Sequence, residues 1–490
     1  MFPIEPTGRA WRPPVSRRRR GLRLSLSALS LAVLAGCATF SGNGGMDEVA
    51  ALTQARTGQT PQAHGTDTVP EAVQARVQAL LAQPLGADQA VELALIQQPG
   101  LQARFDELAQ AEAERVRAGR LPNPVLSLGR LAGGGALEVD RALTVDLLGW
   151  LAWPVRDGVA ERQWRSAQWQ AAVAAVGQGL AARQAWVDAV AVQQQLALQD
   201  RLQAVADTAA ELVQAMARAG NVPALTQLRE QAFQTETRLQ GAQARQAALA
   251  ARERLVRALG LDADAPRLSL PEHLPALPNQ PRSLSEAEQA AIDQRLDVQM
   301  ARLAAEATAQ DLGLSRATSW VNVLEAGVQD KHARGEPTQR GAELTLELPL
   351  FDFGSTRRAD AEARYRQALH RTAQVALEAR SEVREAYAAY RSAYDAAQVH
   401  SRELLPLRQK IADEMLLRYN GMLIGTSELL DDARSRTAAA SAALAAQRAF
   451  WQADARLQAA LAGVPTRAAD AADLAASLLS DAPATAAAGH

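Results

Sequence analysis

The chain has a single cysteine among its 490 residues, so no intrachain disulfide can staple it. Aromatic side chains are also few, at 4%, although hydrophobic residues as a whole reach 48%. The apolar surface is therefore carried by alanine, leucine and valine, with Gln, Arg and Glu between them. That composition favours long helices packed closely through small residues over a globular core built on Phe and Ile. The formal net charge is −2, which leaves no basic excess for nucleic acid. Beyond residue 37 no uninterrupted apolar run has the ~20 residues of a membrane-spanning helix. If the mature chain crosses a bilayer, it must do so as a closed β-barrel, which satisfies every backbone group internally.

The amino terminus does carry an apolar run, but a short one. Arg17, Arg18, Arg19, Arg20 and Arg23 precede Leu24 to Leu34, followed by Leu34-Ala35-Gly36-Cys37. Basic residues, an apolar stretch and small residues before a cut are the order of a secretory signal, here residues 1–36. Because the box ends on the lone cysteine, it resembles the lipobox of bacterial lipoproteins. That resemblance implies removal of the signal before Cys37 and attachment of acyl chains, palmitate among them, at that residue. Residues 37–84 would be a lipidated tether, with Ala38 to Thr68 expected to be poorly ordered because they are rich in Gly, Thr and Gln.

From there the chain is written twice. A helical stretch through Gly100-Leu101-Gln102-Ala103 leads to Leu121-Pro122-Asn123-Pro124 and a strand from Val125 to Leu131. The same order returns at Asp297-Val298-Gln299-Met300 and from Trp320 to Val328, with Gly100 on Asp297 and Leu126 on Val323, an offset of 197. Gly133-Gly134-Gly135 turns the first hairpin, and a polar stretch from Asp330 to Gln339 turns the second. Alternating runs, Leu137 to Leu147 and Ala342 to Leu348, predict the returning strands, each with one apolar and one polar face. Two hairpins are too few for a barrel, and their open edges require partners.

After each hairpin the period becomes helical. Val155 to Arg218 and Thr356 to Tyr419 have very little Gly or Pro, and each could reach roughly 96 Å at 1.5 Å per residue. Leu202, Val205, Ala209, Leu212 and Met216 step by three and four residues, which predicts a coiled-coil seam, and Pro406 is expected to kink the second helix. Both long helices end at turns, Gly220-Asn221-Val222-Pro223 and Gly421-Met422-Leu423-Ile424-Gly425, and each is followed by a returning helix. The repeats thus occupy 85–259, with a hairpin at 121–150, and 285–463, with a hairpin at 318–350. A proline-rich extended connection, 260–284, joins them, and 464–490 is a low-complexity tail.

Leu348-Pro349-Leu350-Phe351-Asp352-Phe353-Gly354-Ser355, directly after a strand and before a long helix, resembles the "PLFDFG" signature of TolC-type outer-membrane factors. Leu147-Leu148-Gly149-Trp150 is its weaker counterpart in the first repeat. Tyr419-Asn420-Gly421 and Glu428 to Arg434 look like the second helical tip of that family. The resemblance spans about Ala87 to Gly463. It implies a mainly α fold with a small β part: a TolC-like α-helical barrel of long paired helices, with four strands per chain entering a trimeric, twelve-stranded transmembrane β-barrel. It implies a homotrimer in the cell outer membrane, lipid-anchored at Cys37, with a long periplasmic extension. It also implies a periplasmic adaptor protein and an inner-membrane pump as partners, in an efflux or type I export system.

Chemistry is absent from this reading. His64, His273, His332, His370, His400 and His490 show no pairing at ligand spacing, and one lipidated cysteine leaves no zinc site. No nucleophile elbow or phosphate-binding glycine loop stands out. No enzyme, metal or cofactor is expected apart from the lipid on Cys37. The gate candidates implied by the family are Glu428 and Asp431, three residues apart on one helix face; in a trimer each would form a charged ring at the constriction. Gln227 stands at the first-repeat position matching Glu428, so only one hairpin per chain is expected to supply the charge. Gly220, Asn221, Val222, Gly421, Met422 and Leu423 are the candidate adaptor-contact tips, the glycines permitting the turns. Trp150, Trp153 and Trp320 lie at strand ends, where an interfacial belt places aromatics. The rival readings are a non-conducting structural or secretion-scaffold lipoprotein, and a soluble coiled-coil adaptor. The duplication disfavours the adaptor, which carries one helical hairpin. The cargo, whether drug, metal or protein, is not written in the chain.

Overall fold

The structure, a computed structural model, describes residues 39–65, 70–133, 136–261, 268–283, 295–317, 323–347, 351 and 353–464. Among the described residues four helices precede the first hairpin: α1 (Met46–Thr57), α2 (Glu71–Leu81), α3 (Ala87–Gln97) and α4 (Pro99–Ala118). Strands β1 (Val125–Gly133) and β2 (Ala136–Asp146) follow, then α5 (Leu147–Arg218) and α6 (Ala224–Leu259). The second repeat comprises α7 (Leu296–Ala317), β3 (Val323–Ala333), β4 (Gln339–Glu347), α8 (Ser355–Val399), a π-helical turn (His400–Leu404), α9 (Leu405–Asn420) and α10 (Thr426–Ala462). No helix among the described residues is long and apolar enough to cross a membrane.

At 72 residues, α5 spans roughly 108 Å. It starts earlier than the sequence suggests, because the Asp146 carboxylate accepts the Gly149 N–H at 2.7 Å and caps the first turn. Residues 147–150 are therefore helix, not the end of a hairpin. Likewise β3 runs on to Ala333, which shortens the second turn to 334–338.

The main core lies at mid-length, where both repeats meet. Leu85, Leu93 and Ala94 of the first repeat pack with Trp186, Val187 and Val190 of α5, Leu255 and Leu259 of α6, and Leu444 of α10. The proline-rich connection feeds Leu268, Leu270 and Leu274 into the same cluster, so it is an extended strap sewn into the core. A second cluster, Tyr390, Tyr394, Phe450 and Leu457, concentrates several of the few aromatics where α8 meets α10.

Each repeat closes on the same knot. Gly260 (φ +71) and Gly463 (φ +72) end α6 and α10 in the left-handed conformation that only glycine adopts without strain. A Cβ on Gly260 would meet the Gln98 backbone at 2.5 Å, and one on Gly463 would overlap the Asp297 carboxylate. In the second knot Arg295, 3% exposed, reaches Asp297 at 2.6 Å and Glu382 at 2.7 Å and donates to the Ala460 carbonyl. Burial opposes its charge, but Asp297 and Glu382 outweigh that and raise its pKa.

Two sequence expectations need correction. The tether contains α1 and α2: Val49, Val73 and Leu80 are buried, and Val49 packs on α5 beside Ala171, Ala172 and Ala175. The seam of α5 is displaced, since Ala206, Ala209 and Val213 are the buried line while Val205 and Leu212 are exposed. Small side chains let α6 approach there, and the larger ones are left on the outer surface. Between α8 and α9 the α-helical ladder is interrupted just ahead of Pro406. Leu405 donates to the His400 carbonyl across a five-residue π turn, so the helix has widened before the proline, whose absent N–H falls at the start of α9.

Candidate functional site

The four strands form one antiparallel sheet in the order β1-β2-β3-β4, so the two hairpins join along β2 and β3. Cross-strand partners share a face. Leu126, Leu143, Val328 and Ala342 form one continuous row, Val145, Ala326 and Leu344 the next, and Leu324 with Leu346 a third. One row further from the helices the same face carries Arg141 with Asp330 and Arg340, the last two 3.2 Å apart. The opposite face holds Glu138, Asp140, Asp146, Glu325, Glu343 and Glu347 against Lys331. The strands are 9, 11, 11 and 9 residues long, the length a tilted transmembrane strand needs. The apolar side chains Leu126, Leu128, Val328 and Leu344 are exposed in the single chain, and β1 and β4 have bare outer edges.

Exposed aromatics gather at the helix-side end of this sheet. Phe40, Trp150, Phe351 and Phe353 all lie there, and Phe351 is fully exposed at 105%. Phe353 (φ 47) and Gly354 (φ 68) turn the chain into α8. Of the signature string, Leu348, Pro349, Leu350 and Asp352 lie outside the described residues, as does Trp320. Trp153 is half-buried, with its indole nitrogen unpartnered.

At the other end of the long helices the two tips differ. Gly220 (φ +74) makes the first turn, with Asn221 donating to the Met216 carbonyl at 2.9 Å and Val222 leading to Pro223 before α6. In the second turn Gly421 keeps φ −79, and Met422 (φ 57) takes the left-handed position instead. That places Met422 in the open, 93% exposed, with Leu423 exposed beside it.

The gate candidates sit one turn into α10. Glu428 is exposed and has no side-chain partner among the described residues. Asp431 meets Arg434 at 2.9 Å, and Arg434 also reaches across to Glu230 of α6 at 2.5 Å while lying 3.9 Å over the Phe233 ring. Glu230 is buried. It stands 201 residues before Asp431, the same offset that relates Gln227 to Glu428. The first repeat therefore does supply a tip carboxylate, contrary to the reading from Gln227 alone, but it is spent on Arg434. Carrying the offset one turn further along α6 was the signal for it. Among the described residues no group of three metal-binding side chains is gathered.

No protein-family model matches this chain, and neither does any curated protein sequence. Solved structures do. The Campylobacter jejuni CmeC outer membrane channel matches with a TM-score of 0.65 at 14% identity, over 81% of this chain and 89% of that one. The Neisseria gonorrhoeae MtrE outer membrane channel, in its open state, matches at 0.64 and 18% identity, over 79% and 89%. The outer membrane protein VceC from Vibrio cholerae matches at 0.63 and 17%, over 77% and 96%. The fold is that of outer-membrane channels. At such identities the fold is what is shared: a mostly helical chain with one small four-stranded antiparallel sheet. The outer-membrane-channel fold accounts for both unpartnered features described above, the sheet with bare edges and the paired helices longer than any core of their own.

Proposed function

We propose that this chain is a TolC-type exit duct: one subunit of a lipid-anchored, homotrimeric outer-membrane channel. It would serve a tripartite efflux or type I export system as a passive conduit. The observation that carries the reading is the open sheet. One face is apolar beside the helices, the other is lined with carboxylates, the strands have transmembrane length, and neither edge is paired. In water such a sheet invites aggregation; closed with two further copies into twelve strands it has no edge, a lipid-facing band and a wet lumen. The long helices below it would pair around the same axis and form the periplasmic tunnel.

The anchor fits this geometry. The Arg115 side chain donates to the Thr39 carbonyl at 3.1 Å, and the Ser41 N–H donates to Glu112 at 2.6 Å, on the turn of α4 just before the sheet. An acyl chain on Cys37 would thus begin two residues from a point tied to the base of the strands, among the exposed aromatics. At the far end Met422 and Leu423 would offer exposed apolar knobs to an adaptor, beside the Gly220-Asn221-Val222 turn of the first tip, and the pump would supply the energy.

Cysteine pairs, one placed in β1 and one in β4, test the closure. Cross-linked species in membranes should run to three chains and stop. Ladders beyond three chains, or no cross-link at any register, would contradict a closed trimer.

A further inference from the structure

At the junction of helices and sheet there is a cavity of about 540 Å³ that the duct itself does not use. Its walls are the end of α4 (Val116, Arg117), Arg120 and the Leu121-Pro122-Asn123 link into β1, Asp146, and Arg156 in the third turn of α5, with Phe40 across the mouth. Three guanidinium groups face one carboxylate here, so the lining carries a net positive charge. Asp146 is already committed, its Oδ1 capping the Gly149 N–H, and Arg117 pairs with Glu114 at 2.9 Å. Arg120 and Arg156 have no ion-pair partner among the described residues. Both guanidinium groups are exposed, and with no carboxylate committed to either they offer an arriving anion paired donors at one cavity. Apart from Asn123 the remainder of the lining is apolar, with Phe40 and Leu121 exposed and Val116 forming a buried floor.

We infer that this cavity is a cradle for the phosphodiester headgroup of an anionic glycerophospholipid. The inference rests on the duct reading, which sets the sheet in a bilayer and so puts this junction at the depth of the inner headgroups. Arginine suits the task because its planar fork meets phosphate oxygens in pairs. Arg120 and Arg156 hold the phosphate, Asn123 faces the glycerol, and Phe40 and Leu121 cover the start of the acyl chains. The segment from Thr39 to Ser41, fixed on α4 beside the cavity, sets the chain's own lipid next to the bound one. Together they pin the strand bases at a constant depth.

The test compares the full-length protein with Arg120→Gln/Arg156→Gln, and with Arg238→Gln/Arg254→Gln on α6 as a charge-matched control. Each is equilibrated in detergent micelles doped with phosphatidylethanolamine and phosphatidylglycerol, and retained lipid is counted by native mass spectrometry. The natural protein and the control should retain phosphatidylglycerol, while the cavity variant should retain at least about tenfold less. Equal retention by the cavity variant would overturn the cradle. So would lack of retention by the natural protein, as when a neighbouring subunit's carboxylates fill the site. Displacement of the lipid by inorganic phosphate would assign the site to free phosphate instead. Micelle retention is read independently of insertion, so a chain that binds lipid but never conducts sinks the duct reading and leaves the cradle standing.

Discussion

Between α6 and α10 the Arg434 guanidinium lies over Phe233 and meets two carboxylates, Glu230 beneath it and Asp431 beside it. Phe233 occupies the place in the first repeat that Arg434 occupies in the second, so the latch lies across the chain's own pseudo-symmetry. Of the two gate candidates, only Glu428 presents a free charge; Asp431 is half of a pair. Arg434→Ala would release Asp431 and leave Glu230 buried without its partner, at a cost of about 1–3 kcal/mol. Trimers of that variant should pass more current in planar bilayers and melt at a lower temperature. Glu428→Ala with Asp431→Ala should also raise the current and change divalent-cation block, without the loss in stability. Unchanged currents in both variants would retire the tip as a gate. The carboxylate pair was suggested by the resemblance of this tip to the family's, and its three-residue spacing puts both groups on one helix face. The pairing of Arg434 with Glu230 was not legible, because an ion pair between residues far apart in sequence depends on how α6 and α10 are set against one another.

At the level of elements, alternation in the strands was easy to read, but its phase was not. An offset of 197 matches Leu126 to Val323, whereas the sheet puts Leu126 on the face of Leu324. One residue of slip exchanges the faces, and only the pairing of β2 with β3 decides it. The seam of α5 was missed for a related reason. Periodicity marks an apolar stripe without saying which neighbour it meets, and α6 takes the alanine side, leaving Val205 and Leu212 for partners outside the chain. At Pro406 the interruption expected of proline takes the form of one widened turn immediately before it. The assignment of sheet faces makes a direct prediction. Leu143→Arg, in the middle of the apolar face, should destabilise the inserted barrel by about 2–4 kcal/mol. Glu343→Gln, on the opposite face, should leave it nearly unchanged. Urea unfolding of the reconstituted protein checks the pair, and equal losses would mean that the faces are not lipid and lumen.

For the whole molecule, the duplication is the feature from which the rest follows. Two copies of helix, hairpin and long helical pair give a chain whose core lies at mid-length, where Trp186, Leu255, Leu274 and Leu444 meet. Both ends reach far beyond it. Neither end is complete in one chain: the sheet has two bare edges, and the long helices keep Leu212, Leu228, Leu239 and Leu377 exposed. A closed trimer resolves both with one symmetry operation. Conduction is the most direct consequence. Purified full-length protein added to a planar bilayer should insert in equal current steps, each step corresponding to three chains. Outer-membrane protein that assembles as trimers and never produces such steps would contradict a duct and mark the chain as a structural scaffold of the envelope.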